Sequence, residues 1–301
     1  MHFLYRDETR ELNEKTRRAA DGSFIQLPDG ITHYQYSSPL SSGEGLGVRE
    51  IVLIHGFSVP YFIYDPTFEF LKQSGFRVLR YDLFGRGFLD RPNTNYNLDL
   101  FVQQLADLLD ALRIARPVSL IGLSMGGPIA AAFTTRYPLR VHKLILIDPI
   151  GAKPITLSPI LKAAKIPIIG EVGFGLVGGE SLAKSVASDF FDPALVKQLQ
   201  SQYIIQMQYK GFKRAILSTI RNNMLGSFMN VYERLGKMDK AILLLWGRND
   251  ATVPFEHSKI LCAALPFARF HVLDDCGHIP HYEKPDEVNP ILLEFLKDNV
   301  S

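Results

Sequence analysis

The chain predicts a three-layer α/β fold on a mostly parallel sheet, and three observations predict it. Short apolar runs recur with helix-compatible segments between them, each run closes on glycine and polar residues, and one run leads into a glycine-flanked serine. Parallel strands buried on both faces read as continuous apolar runs. Strands alternating with helices imply crossovers that lay helices on both faces of the sheet. Ligands in such sheets collect at the carboxyl ends of the strands, where the glycine-and-polar clusters fall.

In chain order, residues 6–20 are dense in charge and read as a surface segment or short helix. Residues 24–27 and 31–36 alternate around Pro28-Asp29-Gly30, which is turn chemistry, and predict a hairpin. Residues 37–47 form a polar, Gly/Ser-rich loop. The first apolar run, 51–54, ends in His55-Gly56-Phe57, and the run 76–81 ends in Asp82-Leu83-Phe84-Gly85-Arg86-Gly87. The run 118–123 ends in Ser124, and 141–147 ends in Asp148-Pro149. The last two, 241–246 and 269–273, end in Gly247-Arg248-Asn249-Asp250 and Asp274-Asp275-Cys276-Gly277-His278. Residues 98–112 place Phe101, Leu105, Leu108, Leu109 and Leu112 on one helical face, and residues 288–296 repeat the spacing.

One interval breaks the alternation. Between Asp148 and Ala241 no buried strand is evident: Pro154, Pro159, Pro167 and the glycines from Gly170 to Gly179 punctuate the first half, and residues 191–235 read as two or three helices. An insertion at the ligand-binding edge predicts a cap. The expected organisation is a core of residues 1–150 and 237–301 with a helical cap at 151–236.

A length of 301 residues, 47% apolar and 21% charged, suits one sizeable soluble core. A net charge of +2 and the lack of a basic run argue against nucleic acid. Two cysteines cannot staple a chain of this length. Residues 1–8 turn charged too soon for a signal peptide, and proline, Glu171 and glycines break the longest membrane-span candidate, 166–179. The expectation is a cytoplasmic protein with no integral membrane segment, in at most transient contact with a lipid surface. Oligomeric state is not encoded in these features.

Gly122-Leu123-Ser124-Met125-Gly126 carries the chemistry. A strand that reverses into a helix within a few residues crowds its neighbours, and glycine removes the side chains that would clash. Ser124 is left projecting at a helix start, as in the G-x-S-x-G nucleophile elbow. A serine hydroxyl needs a base, and the base needs an orienting carboxylate. His278 is the expected base and Asp250 the expected acid, with Asp148 as second candidate. The developing oxyanion needs preset donors, for which the amides of Met125 and Phe57 are placed; His55 is expected to hold the Phe57 loop. Phe57, Tyr61 and Phe62 are expected to line an apolar pocket. Two other readings compete: Cys276 as nucleophile, and a metal site of His278 and His281 with His271 or Asp275, which lacks a helical frame to fix its ligands. No metal and no cofactor are expected.

With these residues laid out, the chain resembles the α/β-hydrolase superfamily over nearly its whole length. The resemblance rests on His55-Gly56-Phe57, the Asp82 to Gly87 turn, Gly122-Leu123-Ser124-Met125-Gly126-Gly127, Gly247-Arg248-Asn249-Asp250 and Gly277-His278. It implies an eight-stranded, mostly parallel sheet with a helical cap after the sixth strand, and it maps nucleophile, acid, base and oxyanion donors onto Ser124, Asp250, His278, Phe57 and Met125. Ser124 argues against haloalkane dehalogenases and epoxide hydrolases, which carry aspartate at the elbow. The apolar cap and Phe57 neighbourhood point to a carboxylesterase or lipase-like enzyme for a small hydrophobic ester. The alternatives are a C–C (meta-cleavage product) hydrolase, a haloperoxidase or perhydrolase-like member, and a non-catalytic ligand receptor.

Overall fold

The computed structural model describes Tyr5 and residues 7–37, 49–157, 159–166 and 168–298. The expected polar loop at 37–47 lies outside these residues beyond Ser37. A short helix α1 (Glu14–Arg18), capped by the Asn13 side chain on the Thr16 amide, precedes the hairpin of β1 (Ser23–Leu27) and β2 (Gly30–Ser37). Leu27 opposes Gly30, so the Pro28-Asp29 turn sets the register. The core then alternates β3 (Glu50–Ile54), α2 (Asp65–Gln73), β4 (Arg77–Tyr81), α3 (Leu98–Ala111), β5 (Val118–Leu123), α4 (Gly126–Arg136) and β6 (Val141–Ile147). Five helices follow: α5 (Pro159–Ala163), α6 (Ile169–Ser188), α7 (Val196–Met207), α8 (Phe212–Arg221) and α9 (Met229–Leu235). The chain closes with β7 (Ala241–Gly247), α10 (Glu256–Ala264), β8 (Arg269–Leu273), α11 (Pro280–Glu283) and α12 (Pro285–Lys297).

The eight strands form one sheet in the order β1-β2-β4-β3-β5-β6-β7-β8. Only the pairings of β2, with β1 and with β4, are antiparallel; β3 to β8 run parallel. Side chains alternate across a strand, and the core divides accordingly. Val52 and Ile54 of β3 belong to the cluster under α3, α4 and α9, while Ile51 and Leu53 belong to the cluster under α2 and α12. Both faces are covered, which is why these strands read as unbroken apolar runs. The edge strand β8 is the exception: Arg269, Phe270 and His271 are exposed, and the charged Arg269, paired with Asp298, blunts the sheet edge.

The segment between β6 and β7 differs from expectation in its first half. The glycines from Gly170 to Gly179 do not break the chain; they lie within the continuous helix α6. Two of them permit close approach instead: a Cβ at Gly170 would stand 2.6 Å from the Ala164 carbonyl, and one at Gly179 would stand 2.7 Å from the Asp7 carboxylate. The cost of helical glycine, about 1 kcal/mol each, is offset by packing that a sequence window does not contain. The second half is helical as read, in α7, α8 and α9. No described helix is long and apolar enough to cross a membrane.

Candidate active site

Ser124 stands at the turn from β5 to α4 with φ +52°, a left-handed conformation that is costly for a residue with a Cβ. Its surroundings over-determine it. The Ser124 amide donates to the Ile147 carbonyl at 2.9 Å, and its carbonyl accepts from the amides of Gly127 (2.9 Å) and Ile150 (3.2 Å). A Cβ at Gly122 would fall 2.4 Å from the Gly126 carbonyl oxygen, and one at Gly126 would fall 2.2 Å from that of Ile54. These two glycines are what let strand, elbow and helix interlock.

His278 follows β8. Its Nδ1–H donates to Asp250 Oδ2 at 2.7 Å, which leaves Nε2 as the free nitrogen. Asp250 Oδ1 accepts from the amides of Thr252 and Val253, both at 2.8 Å, so the carboxylate is fixed before it meets the imidazole. Burial pushes His278 down, but the charge and hydrogen bond of Asp250 outweigh it and the imidazole ends above its usual range. Ser124 and His278 both face a cavity of about 440 Å³, walled by Phe57, Val59, Ile63, Ile150 and Leu225 and, from the helical segment, Leu157, Leu161 and Leu182. Polar groups in its lining include Ser58, Thr156, Ser185, Lys184, Asp189 and Thr252.

The Phe57 turn lies beside the elbow, since a Cβ on Gly56 would touch the Ser124 Cβ at 3.2 Å. Among the described residues the amides of Phe57 and Met125 have no hydrogen-bond partner, so both are available donors. His55 holds this turn as expected: Nδ1–H donates to the Gly56 carbonyl and Nε2 accepts from the Leu83 amide, each at 2.9 Å. Burial pushes His55 down to about 4, which fixes the neutral form that this pattern requires.

Tyr61 and Phe62, expected in the pocket, do not line the Ser124 cavity. They occupy a 3-10 turn (Tyr61–Tyr64) that faces a separate cavity with His33, Arg80 and Asp82. Asp82 pins this turn by accepting from the Tyr61 amide at 2.9 Å, and it bonds His33 at 2.7 Å. Cys276 is buried and its thiol is pushed far up by burial, which removes it as a nucleophile. Among the described residues the one His/Cys/Asp/Glu cluster with ligand atoms within 4.8 Å of one another is Asp148, Asp250 and His278; His271, His281 and Asp275 do not gather around it.

Three residues that support the site were not singled out from sequence. The Arg86 guanidinium, fully buried, donates to the carbonyls of Phe57 and Phe84 and to Thr219 Oγ1, each at 2.9 Å. Burial lowers it to about 10, still charged at neutral pH. Its signal, a cation between Gly85 and Gly87, reads as an exposed turn. Asp189, at the end of α6, accepts the His278 amide on its carbonyl at 2.7 Å and the Thr252 hydroxyl on its carboxylate at 2.6 Å. Glu283 accepts from the amides of Phe191 (3.1 Å), Asp192 (3.1 Å) and Gly277 (3.2 Å), tying the end of α6 to the histidine loop.

The sequence profile of the alpha/beta hydrolase family matches residues 51–291, and the chain belongs to that family. A 2-hydroxy-6-oxononadienedioate/2-hydroxy-6-oxononatrienedioate hydrolase from Pseudomonas putida is 30% identical, over 91% of this chain and 95% of its own. A 2-hydroxy-6-oxo-6-phenylhexa-2,4-dienoate hydrolase from Comamonas testosteroni is 29% identical, over 95% and 99%. A meta-cleavage product hydrolase from Pseudomonas fluorescens superposes with a TM-score of 0.74 at 26% identity, over 91% and 97%. These relatives overturn the expected carboxylesterase or lipase-like specificity: they are named for dienoates and meta-cleavage products, not for esters. An apolar cavity beside a serine accommodates either, and two of the three residues taken to mark a pocket for a hydrophobic acyl group lie elsewhere.

Proposed function

We propose that this member of the alpha/beta hydrolase family hydrolyses a carbon–carbon bond in a 2-hydroxy-6-oxodienoate, with Ser124 as nucleophile, His278 as base and Asp250 as its orienting acid. The observation that carries the reading is the chain-long likeness to the Pseudomonas putida hydrolase, 30% identical over 91% of this chain. Residues 151–236 act as the cap, supported by the cavity contacts of Leu157, Leu161 and Leu182.

A carbon leaving group departs only if it can carry the electron pair. In a 2-hydroxy-6-oxodienoate the enol proton at O2 must first move to C5, giving a C2 ketone. Ser124 then adds to C6 as His278 Nε2 takes its proton, and the new oxyanion sits between the Phe57 and Met125 amides. When C5–C6 breaks, the pair flows through C4 and C3 into the C2 carbonyl, and the dienolate takes the proton held on His278 Nε2 and leaves as the 2-hydroxydienoate, which returns the imidazole to its neutral form. Water, activated by His278, releases the C6 acid from Ser124. Among the described residues lining the cavity Lys184 is the one lysine or arginine, which supports its binding the C1 carboxylate and so directing C6 toward Ser124.

The test is turnover of 2-hydroxy-6-oxo-6-phenylhexa-2,4-dienoate, followed by loss of the conjugated chromophore and appearance of benzoate. Turnover abolished in Ser124→Ala is expected. Absence of turnover with this substrate and its dioic analogue, in protein that hydrolyses p-nitrophenyl esters, would refute the proposal.

A further inference from the structure

A second carboxyl group lies beside the Ser124–His278–Asp250 centre, and the mechanism above does not use it. Asp148, at the end of β6, is fully buried and adopts φ +41°, a conformation that a non-glycine residue holds only when its contacts compel it. Its amide donates to the Leu245 carbonyl at 3.0 Å, and its Oδ1 accepts from the Gly247 amide at 2.9 Å. Its other oxygen, Oδ2, is buried with no hydrogen-bond partner among the described residues. One ligand atom each of Asp148, Asp250 and His278 falls within 4.8 Å of the others.

Two carboxylates this close and this dry do not both ionise at acceptable cost. Asp250 is the one compensated as an anion, by two backbone amides and the His278 N–H. Asp148 has a single amide donor. Burial first, then the charge of Asp250, holds Asp148 well above the usual carboxylate range, and Glu283 on α11 acts in the same direction. Asp148 also acts on Cys276 on the loop after β8, while Asp250 is faced by His278, by Asp189 at the end of α6 and by His257 of α10, an imidazole that burial pushes down and keeps neutral. None supplies Asp148 with a cation of its own, because the His278 imidazole is already bonded to Asp250.

We propose that Asp148 is a positioning residue that stays protonated and donates its hydroxyl proton to Asp250, so that His278 faces one carboxylate and not two. The consequence falls on the base. A second anion at this distance would stabilise the imidazolium further, and His278 would hold its proton at neutral pH when it must accept that of Ser124. A neutral acid contributes a dipole in place of a charge and draws electron density from Asp250. The inference rests on His278 being the base of the proposed centre, and it is independent of which carbonyl compound Ser124 attacks.

The test uses three readouts on the full chain. The infrared difference between native protein and Asp148→Asn at pH 7 should contain a protonated-carboxyl C=O stretch, and that band should move in Asp250→Asn. In histidine-labelled protein, the NMR titration of His278 should be unmoved in Asp148→Asn, whose amide is also a neutral donor. It should rise by about half a unit to one unit in Asp148→Ala, which loses one hydrogen bond to Asp250. The acid limb of kcat/KM should follow, with Asp148→Asn within about threefold of native. Absence of the band, or a downward His278 shift in Asp148→Asn, would show a native carboxylate and overturn the inference. So would an Asp148→Ala protein that folds with His278 unmoved. Should Asp148→Ala fail to fold, the infrared band and the Asp148→Asn titration still decide. Neither spectrum involves substrate, so an error in the substrate reading leaves both standing.

Discussion

Replacing Arg86 by methionine keeps most of its volume and removes one charge and three hydrogen bonds. The carbonyls of Phe57 and Phe84 would lose donors at 2.9 Å each, whereas Thr219 Oγ1 still donates to the Ala215 carbonyl at 2.8 Å. A stranded buried acceptor costs about 1–3 kcal/mol, and two of them about 2–6 kcal/mol. Releasing the guanidinium from burial returns part of this, so the net loss is about 2–4 kcal/mol. In a chain of this size that lowers Tm by on the order of 10 °C. The catalytic effect is separate. The Phe57 carbonyl fixes the peptide next to the amide assigned to the oxyanion, and complete loss of one such donor costs about 100- to 1,000-fold in kcat. A loosened donor should therefore cost about 10- to 100-fold, with KM changed far less because the ground-state carbonyl uses it weakly. Arg86→Lys, which can reach one of the carbonyls, should fall between. Scanning calorimetry and dienoate turnover measure both quantities. An Arg86→Met enzyme with native Tm and native kcat would refute the account of the Phe57 turn.

Three further outcomes follow from the same geometry. Gly126→Ala would put a Cβ 2.2 Å from the Ile54 carbonyl oxygen and 2.8 Å from that of His55. Neither backbone atom can yield alone, so a shift of the elbow by about 1 Å and a roughly 100-fold loss of kcat are expected; native turnover would contradict this. Lys184→Met should raise KM for the dienoate about tenfold while leaving kcat and Tm unchanged, since Lys184 is exposed and among the described residues pairs only with Glu180; an unchanged KM would remove Lys184 from carboxylate binding. Burial lowers His55 to about 4 from an ordinary 6.5, so the unfolded chain takes up its proton first as pH falls. Its contribution is complete above about pH 6.5 and is lost toward pH 4, on the order of 3 kcal/mol. Urea midpoints should fall across that window, and His55→Gln should flatten the slope.

The strands were legible because burial on both faces leaves a continuous apolar signature, as in β3 and β5, and Pro28-Asp29-Gly30 marked the hairpin. That Ser124, Asp250 and His278 come together was legible because a parallel sheet delivers every strand end to one edge, so residues distant in the chain share a location once the strands are recognised. Proximity in sequence misled at Tyr61 and Phe62: Asp82 captures the Tyr61 amide and the 3-10 turn carries both rings past the cavity mouth. The glycines of α6 misled for a related reason, since what they permit is the approach of Ala164 and Asp7 from elsewhere in the chain. Arg86, Asp189 and Glu283 left no local mark because their roles consist of contacts with distant backbone. The bond to be cleaved was not written in composition at all; apolar walls fit an aryl ketone and an ester alike.

The contacts of Glu283 and Asp189 have a mechanical consequence. Hydrogen bonds from both sides tie the last turn of α6 and the loop bearing His278 to each other, so the two form one lever arm. Lifting α6 at this end would therefore displace the His278 backbone in the same stroke, through its amide bond to the Asp189 carbonyl.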